Sequence, residues 1–250
     1  MAEFEVFYHH CPVCSALLAG KKMRTETVRF SQLYSDGLML CDGWLSTTQM
    51  IVQCPSCSHV YWLDTVKDNT ESINKSTTHS FAYSYKSWYQ FGCETTSIEG
   101  KNALIEQYLS MLRMMKPCTH EQELYLRKRL LWAFNDLVRD RSVVPVWRVP
   151  FSIKGIMEWH RYRKKQLRQF LLFRKWKYEY ISNIKRLIEL VRSCEERAYE
   201  KTFLAELYRE KGNFKKSAEI LQQLGRSTHF VAYLLEKVQR KNSLVFLVAG

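Results

Sequence analysis

Two short motifs have the residue types and spacing for chemistry: Cys11-Pro12-Val13-Cys14 and Cys54-Pro55-Ser56-Cys57. A two-residue spacer lets both sulfurs of a pair turn toward one ion. Two such pairs complete a tetrahedral four-thiolate site, with Zn–S bonds of roughly 2.3 Å. Proline after the first cysteine fixes φ in each tight turn. The expected cofactor is therefore zinc, held by Cys11, Cys14, Cys54 and Cys57 in a structural role. A redox Cys-x-x-Cys would follow a strand and open a helix, whereas both pairs stand in strand-and-turn sequence. Cys41, His9, His10 and His59 are the substitutes within reach, but four thiols in two turns already fill the shell.

The elements that must position these cysteines are short and β-rich. Phe4–Tyr8 alternates like a strand leading into the first motif. Ile51–Gln53 enters the second and Val60–Leu63 leaves it. The gap from Cys14 to Cys54 exceeds the roughly 15–20 residues common between zinc-ribbon pairs, so an inserted β-hairpin is expected. Val28–Phe30 and Leu38–Leu40 are its strand candidates, with turn signals at Asp36-Gly37 and Asp42-Gly43. Asp36, Asp42 and Asp64 read as turn caps. The module is small, so metal binding free energy is folding free energy.

Beyond it the pattern changes. The division is a ribbon over 1–68, a linker with an aromatic loop over 69–100, and a helical domain over 101–250: an α+β protein. Lys67–Ser80 is polar and aperiodic. Phe81–Phe91 is dense in aromatic residues and reads as packing. One apolar stripe runs through Ala103, Leu104, Tyr108, Met111, Leu112 and Met115. A second helix begins at Thr119 with Gln122 as a capping box; within it Trp132 reads as core and Asn135 as a cap or a polar link to a neighbouring helix. Two prolines in Val143–Pro150 break the chain before a third helical region. There, Trp159, Tyr162, Phe170, Phe173, Trp176, Tyr180, Ile184 and Leu187 recur at packing intervals. The tail, Leu244–Val248, is apolar and should dock on the helices.

The 250 residues carry a net charge of +13, unevenly placed. Residues 1–70 hold 5 basic and 7 acidic residues, and residues 151–250 hold 22 and 10. A ribbon that gripped phosphates should be basic, so the metal module is not the expected reader of nucleic acid. The basic helix over 158–177 is the candidate surface for an anionic partner. Arg161, Lys164, Lys165 and Arg168 share one of its faces. No run of about 18 apolar residues suggests a membrane span, and Met1–Val6 lacks the pattern of a secretory signal. Cys41, Cys93, Cys118 and Cys194 share no spacing and read as reduced thiols.

Cys194–Leu224 resembles a tetratricopeptide-type hairpin, with Leu204-Ala205, Tyr208, Gly212-Asn213-Phe214 and Ala218 near the repeat's positions and no second copy in sequence. The chain as a whole resembles a group of bacterial proteins of uncharacterised function. These join an N-terminal zinc ribbon to a helical, tetratricopeptide-like C-terminal half. The resemblance is carried by the two cysteine motifs, Ser35-Asp36-Gly37, Trp62 with Asp64, Trp132–Asp136 and the hairpin near 195–224. It implies that fold and a cytoplasmic setting, and supplies no activity. Four thiolates leave no open metal position, and no hydrolytic triad, phosphate loop or His-Glu-x-x-His occurs. The expected function is a non-enzymatic protein-interaction module or adaptor. The alternative is nucleic-acid binding through the basic helix.

Overall fold

The computed structural model describes residues 4–23, 32–41, 44–45, 51–63, 97–114, 119–139, 152–193, 198–224 and 228–249. The expected strand at 28–30, the turn at Asp42-Gly43, Asp64, the linker, the aromatic segment and the proline-containing break lie outside these residues. So do Cys93, Cys118 and Cys194.

The chain divides into two compact units. The first, Met1–Leu33 and Leu38–Glu94 with the last two residues, is built of short antiparallel strands. Strands β1 (Phe4–His10) and β2 (Leu17–Met23) form one hairpin, with His10 opposite Leu17. Strands β6 (Ile51–Gln53) and β7 (Val60–Trp62) form another, with Gln53 opposite Val60. Each has a cysteine motif as its loop. Between them in sequence, β3 (Gln32–Tyr34), β4 (Met39–Cys41) and β5 (Trp44–Leu45) run antiparallel; β4 overlaps the strand expected at 38–40, while β3 and β5 stand where none was expected. Leu18, Val52 and Tyr61 pack around Cys11 and Cys54 as a small core.

The second unit comprises Thr95–Val248 together with the short segment Tyr34–Gly37. Its seven described helices are α1 (Ile98–Met114), α2 (His120–Asn135), α3 (Ile153–Lys175), α4 (Lys177–Arg192), α5 (Ala198–Glu210), α6 (Phe214–Leu224) and α7 (His229–Gln239). A last strand, β8, covers Leu247–Ala249. The Thr119 capping box forms: its Oγ1 accepts from the Gln122 N–H at 3.2 Å, and Gln122 returns the bond. Helix α5 is the centre, because every residue from Phe203 to Glu210 is buried. Its apolar arc, with Phe203, Leu204, Leu207 and Tyr208, and its charged arc, with Glu206, Arg209 and Glu210, are both covered. It turns into α6 at Gly212, whose φ of +84° is the left-handed conformation glycine adopts without strain.

Several expectations need correction. The basic helix starts at Ile153 and ends before Trp176 rather than spanning 158–177. Trp176 takes a non-helical conformation there, and its indole N–H donates to Asn102 at 3.0 Å. Phe170 is exposed, because it lies off the arc of Tyr162, Gln169 and Phe173 that the rest of the unit covers. In α1, Ile105 is buried where Ala103 is exposed. The tail docks only in part: Val245 is buried and Phe246 packs edge-on to Tyr233, but Leu244 and Leu247 remain exposed.

Candidate metal centre

The two cysteine loops fold alike. In the first, the Cys11 N–H bonds the Ala16 carbonyl and the Ser15 N–H bonds the Cys11 carbonyl, both at 2.9 Å. In the second, Cys54 and His59, then Ser58 and Cys54, repeat the pattern at 2.8 Å. Ser15 and Ser58 occupy equivalent positions with φ of 58° and 59°. This left-handed step turns the chain back after the second cysteine, so both sulfurs of a pair face one point.

The four sulfurs lie within 4.8 Å of one another. Across the two loops, Cys11 Sγ is 3.7 Å from Cys57 Sγ, and Cys14 Sγ is 3.5 Å from Cys54 Sγ. Tetrahedral bonds of about 2.3 Å place sulfurs roughly 3.8 Å apart, so the cage has the size a four-thiolate ion needs. Cys11 and Cys54 are buried while Cys14 and Cys57 are exposed, so the site sits at the surface with one sulfur of each pair inward.

The electrostatics fit a cation. Burial pushes the Cys54 thiol up, but N–H groups of Cys57 and Ser56, with the neighbouring sulfurs, bring it down to about 7. At Cys57 the His59 N–H lowers the thiol's pKa. Burial and the sulfurs of Cys14, Cys54 and Cys11 outweigh it and push the pKa up to about 12. Four thiols this close cannot all ionise by themselves; a divalent ion removes that opposition. The donor set is soft and complete, and the residues fit a thiolate-binding metal.

Of the proposed substitutes, His9, His10 and His59 stay outside the cluster, and the Cys41 side chain lies outside the described residues. His9 is fully buried, and its Nε2 lies 2.9 Å from Tyr61 Oη, tying the first hairpin to the second beside the sulfurs. His10 donates from Nδ1 to the Ser15 carbonyl at 3.0 Å and so braces the first loop. His59 stacks on Tyr61 at a centroid distance of 6.3 Å. Burial and the surrounding cysteines hold Tyr61 well above its ordinary pKa, so it stays a neutral hydroxyl.

The helical unit holds a second concentration of polar groups, which was not expected from the sequence. Asp36, read as a turn cap, is wholly buried. Arg139 grips both its carboxylate oxygens, at 3.1 and 2.7 Å. Asn135 Nδ2 donates to Asp36 Oδ2 at 2.9 Å and to Glu210 Oε2 at 3.1 Å. The Trp132 indole donates to the Asp36 carbonyl, and Tyr180 Oη donates to Glu210 at 2.8 Å. On α5, Arg209 forks onto buried Glu206 and reaches the carbonyls of Asn242 and Leu244. The expected polar link by Asn135 is thus present, to α5. The rest carried no signal in the sequence: at 100° per residue Glu206, Arg209 and Glu210 gather on one arc of α5 opposite Leu204 and Tyr208, the pattern of a solvent face, yet all three are buried.

Arg161, Lys164, Lys165 and Arg168 all lie exposed on α3, on one side as expected. No protein-family model matches the chain, and neither a curated protein nor a solved structure matches it.

Proposed function

We propose that the chain is a non-enzymatic zinc protein that acts as an interaction module or adaptor. The observation that carries this reading is the closed sulfur cage: four thiolates from two like loops fill a tetrahedral shell and leave no position for water or substrate. Cys11, Cys14, Cys54 and Cys57 would hold the ion, which supplies fold stability rather than a reaction. The helical unit offers the contact surfaces. The left-handed turn at Gly212 supports reading its hairpin α5–α6 as tetratricopeptide-like, and α3 carries a basic solvent face suited to an anionic partner.

The resemblance to bacterial ribbon-plus-helix proteins, with its cytoplasmic setting, belongs to the same proposal. Nucleic-acid binding through α3 is the competing reading, and it leaves the apolar residues of that helix unexplained. Affinity capture with the zinc-loaded chain, in nuclease-treated and untreated arms, tests the choice. A protein retained in both arms supports the adaptor. Retention abolished by nuclease overturns it.

A further inference from the structure

Helix α3 is unusual for what it leaves in water. Its 23 residues include a single buried one, Gln169. Ile153 and Leu167 are 80% and 58% exposed, and Ile156, Met157 and Leu171 are exposed too. At 100° per residue these five fall within an arc of about 100°. The opposite arc, with Tyr162, Gln166, Gln169 and Phe173, is the covered one. The apolar stripe therefore points away from the unit that α3 packs on.

Charge frames the stripe. The helix holds 8 basic residues and one acidic residue, Glu158. Arg161, Lys165 and Arg168 flank one edge and Arg174 the other, while His160, Lys164 and Lys175 fall within it, the two lysines on stems long enough to lift their ammonium groups clear. A second copy of so positive a helix would be repelled. A phosphate backbone would satisfy the charges and leave the apolar residues wet. An acidic protein would need a groove at once negative and apolar along the whole length of the helix. A plane with uniform negative charge and an apolar layer beneath it satisfies both features at once.

We infer that the solvent face of α3 is a docking surface for an anionic lipid bilayer, with Ile153, Ile156, Met157, Leu167 and Leu171 entering the acyl boundary and the flanking Arg and Lys meeting the headgroups. The inference rests on reading α3 as a contact surface for an anionic partner, and it names that partner. At 1.5 Å per residue the helix presents a line of about 34 Å, enough to seat the chain on the membrane without crossing it. No helix among the described residues is long and apolar enough to span one.

The test is co-sedimentation of the full zinc-loaded chain with vesicles of equal parts phosphatidylglycerol and phosphatidylcholine, and with phosphatidylcholine alone. Binding is expected to the anionic vesicles only and to weaken with salt. Changing Arg161, Lys164, Lys165 and Arg168 to Gln should lower the partition coefficient on the order of several hundredfold. Changing Ile156, Met157, Leu167 and Leu171 to Gln should lower it about tenfold or more at unchanged charge. Both sets are exposed, so helical circular dichroism should match the parent. Equal binding to neutral vesicles, or full binding by the apolar-face variant, overturns the inference. Polyglutamate and an RNA oligomer form the companion arms. Retention of polyglutamate with no vesicle binding overturns the bilayer while keeping the anionic-partner reading. Binding of none overturns both, and tight RNA binding lost in the four-glutamine variant favours the nucleic-acid reading.

Discussion

Two serines and one glutamate carry the sharpest consequences at the residue scale. Ser15 and Ser58 hold a left-handed backbone that costs an L-residue about 1 kcal/mol or more. Replacing either by Gly should raise the ribbon's stability by up to roughly 1 kcal/mol, read as higher resistance to chelator-induced unfolding. Gly212 is the opposite case, and Gly212→Ala should cost about 1 kcal/mol. A Cβ there would meet nothing within 4 Å, so the cost is backbone strain alone. Glu210 is the surplus charge of its network. Asp36 pairs with Arg139 and Glu206 with Arg209. Burial, then repulsion from Glu206 and Asp36, push Glu210 up to about 8 from 4.5, against the opposing pull of Arg209 and the Tyr180 hydroxyl. These surroundings favour its neutral acid form. Its Oε2 takes the bonds from Asn135 and Tyr180, while its Oε1 is buried with no hydrogen-bond partner among the described residues and is the oxygen on which the proton can sit. The folded pKa is the raised one, so this stabilisation is full below about 4.5 and is lost as pH rises toward 8. Urea unfolding of the helices should show stability falling across that window by at most about 1.4 kcal/mol per pH unit from this group. Glu210→Gln, neutral and of the same shape, should remove that component. An unchanged slope in the variant would show that Glu210 is ionised throughout.

Elements show where sequence was sufficient and where it was not. Both cysteine hairpins and the Thr119 helix start were legible because each is fixed by local chemistry: a turn, a cap, a spacing. Accordingly, Thr119→Ala should cost about 1 kcal/mol in thermal unfolding of the helical unit, since it leaves the first turn's N–H groups without their acceptor. The role of Asp36 was not legible. Its partners, Asn135 and Arg139, stand about a hundred residues later, and an Asp before Gly reads equally well as a turn residue. The exposure of Phe170 was hidden for a related reason. Spacing gives the faces of α3, but which face is covered depends on the neighbouring helices.

For the whole molecule, a small β unit organised on four sulfurs and a helical unit organised on α5 should respond differently to metal. Among the described residues, Leu18, Val52 and Tyr61 pack around Cys11 and Cys54, so the cysteines sit inside the apolar cluster that a bound ion would hold together. Cys11→Ser should unfold the ribbon and release zinc while most of the helical circular dichroism remains. Collapse of the entire helical signal would show that the two units do not fold separately. Everything proposed for the ribbon depends on a sulfur-only site, and X-ray absorption at the zinc K edge on the purified chain tests it most directly. About one zinc per chain is expected, with four sulfur neighbours near 2.3 Å. A nitrogen or oxygen neighbour in the first shell, or a folded ribbon without metal, would contradict it.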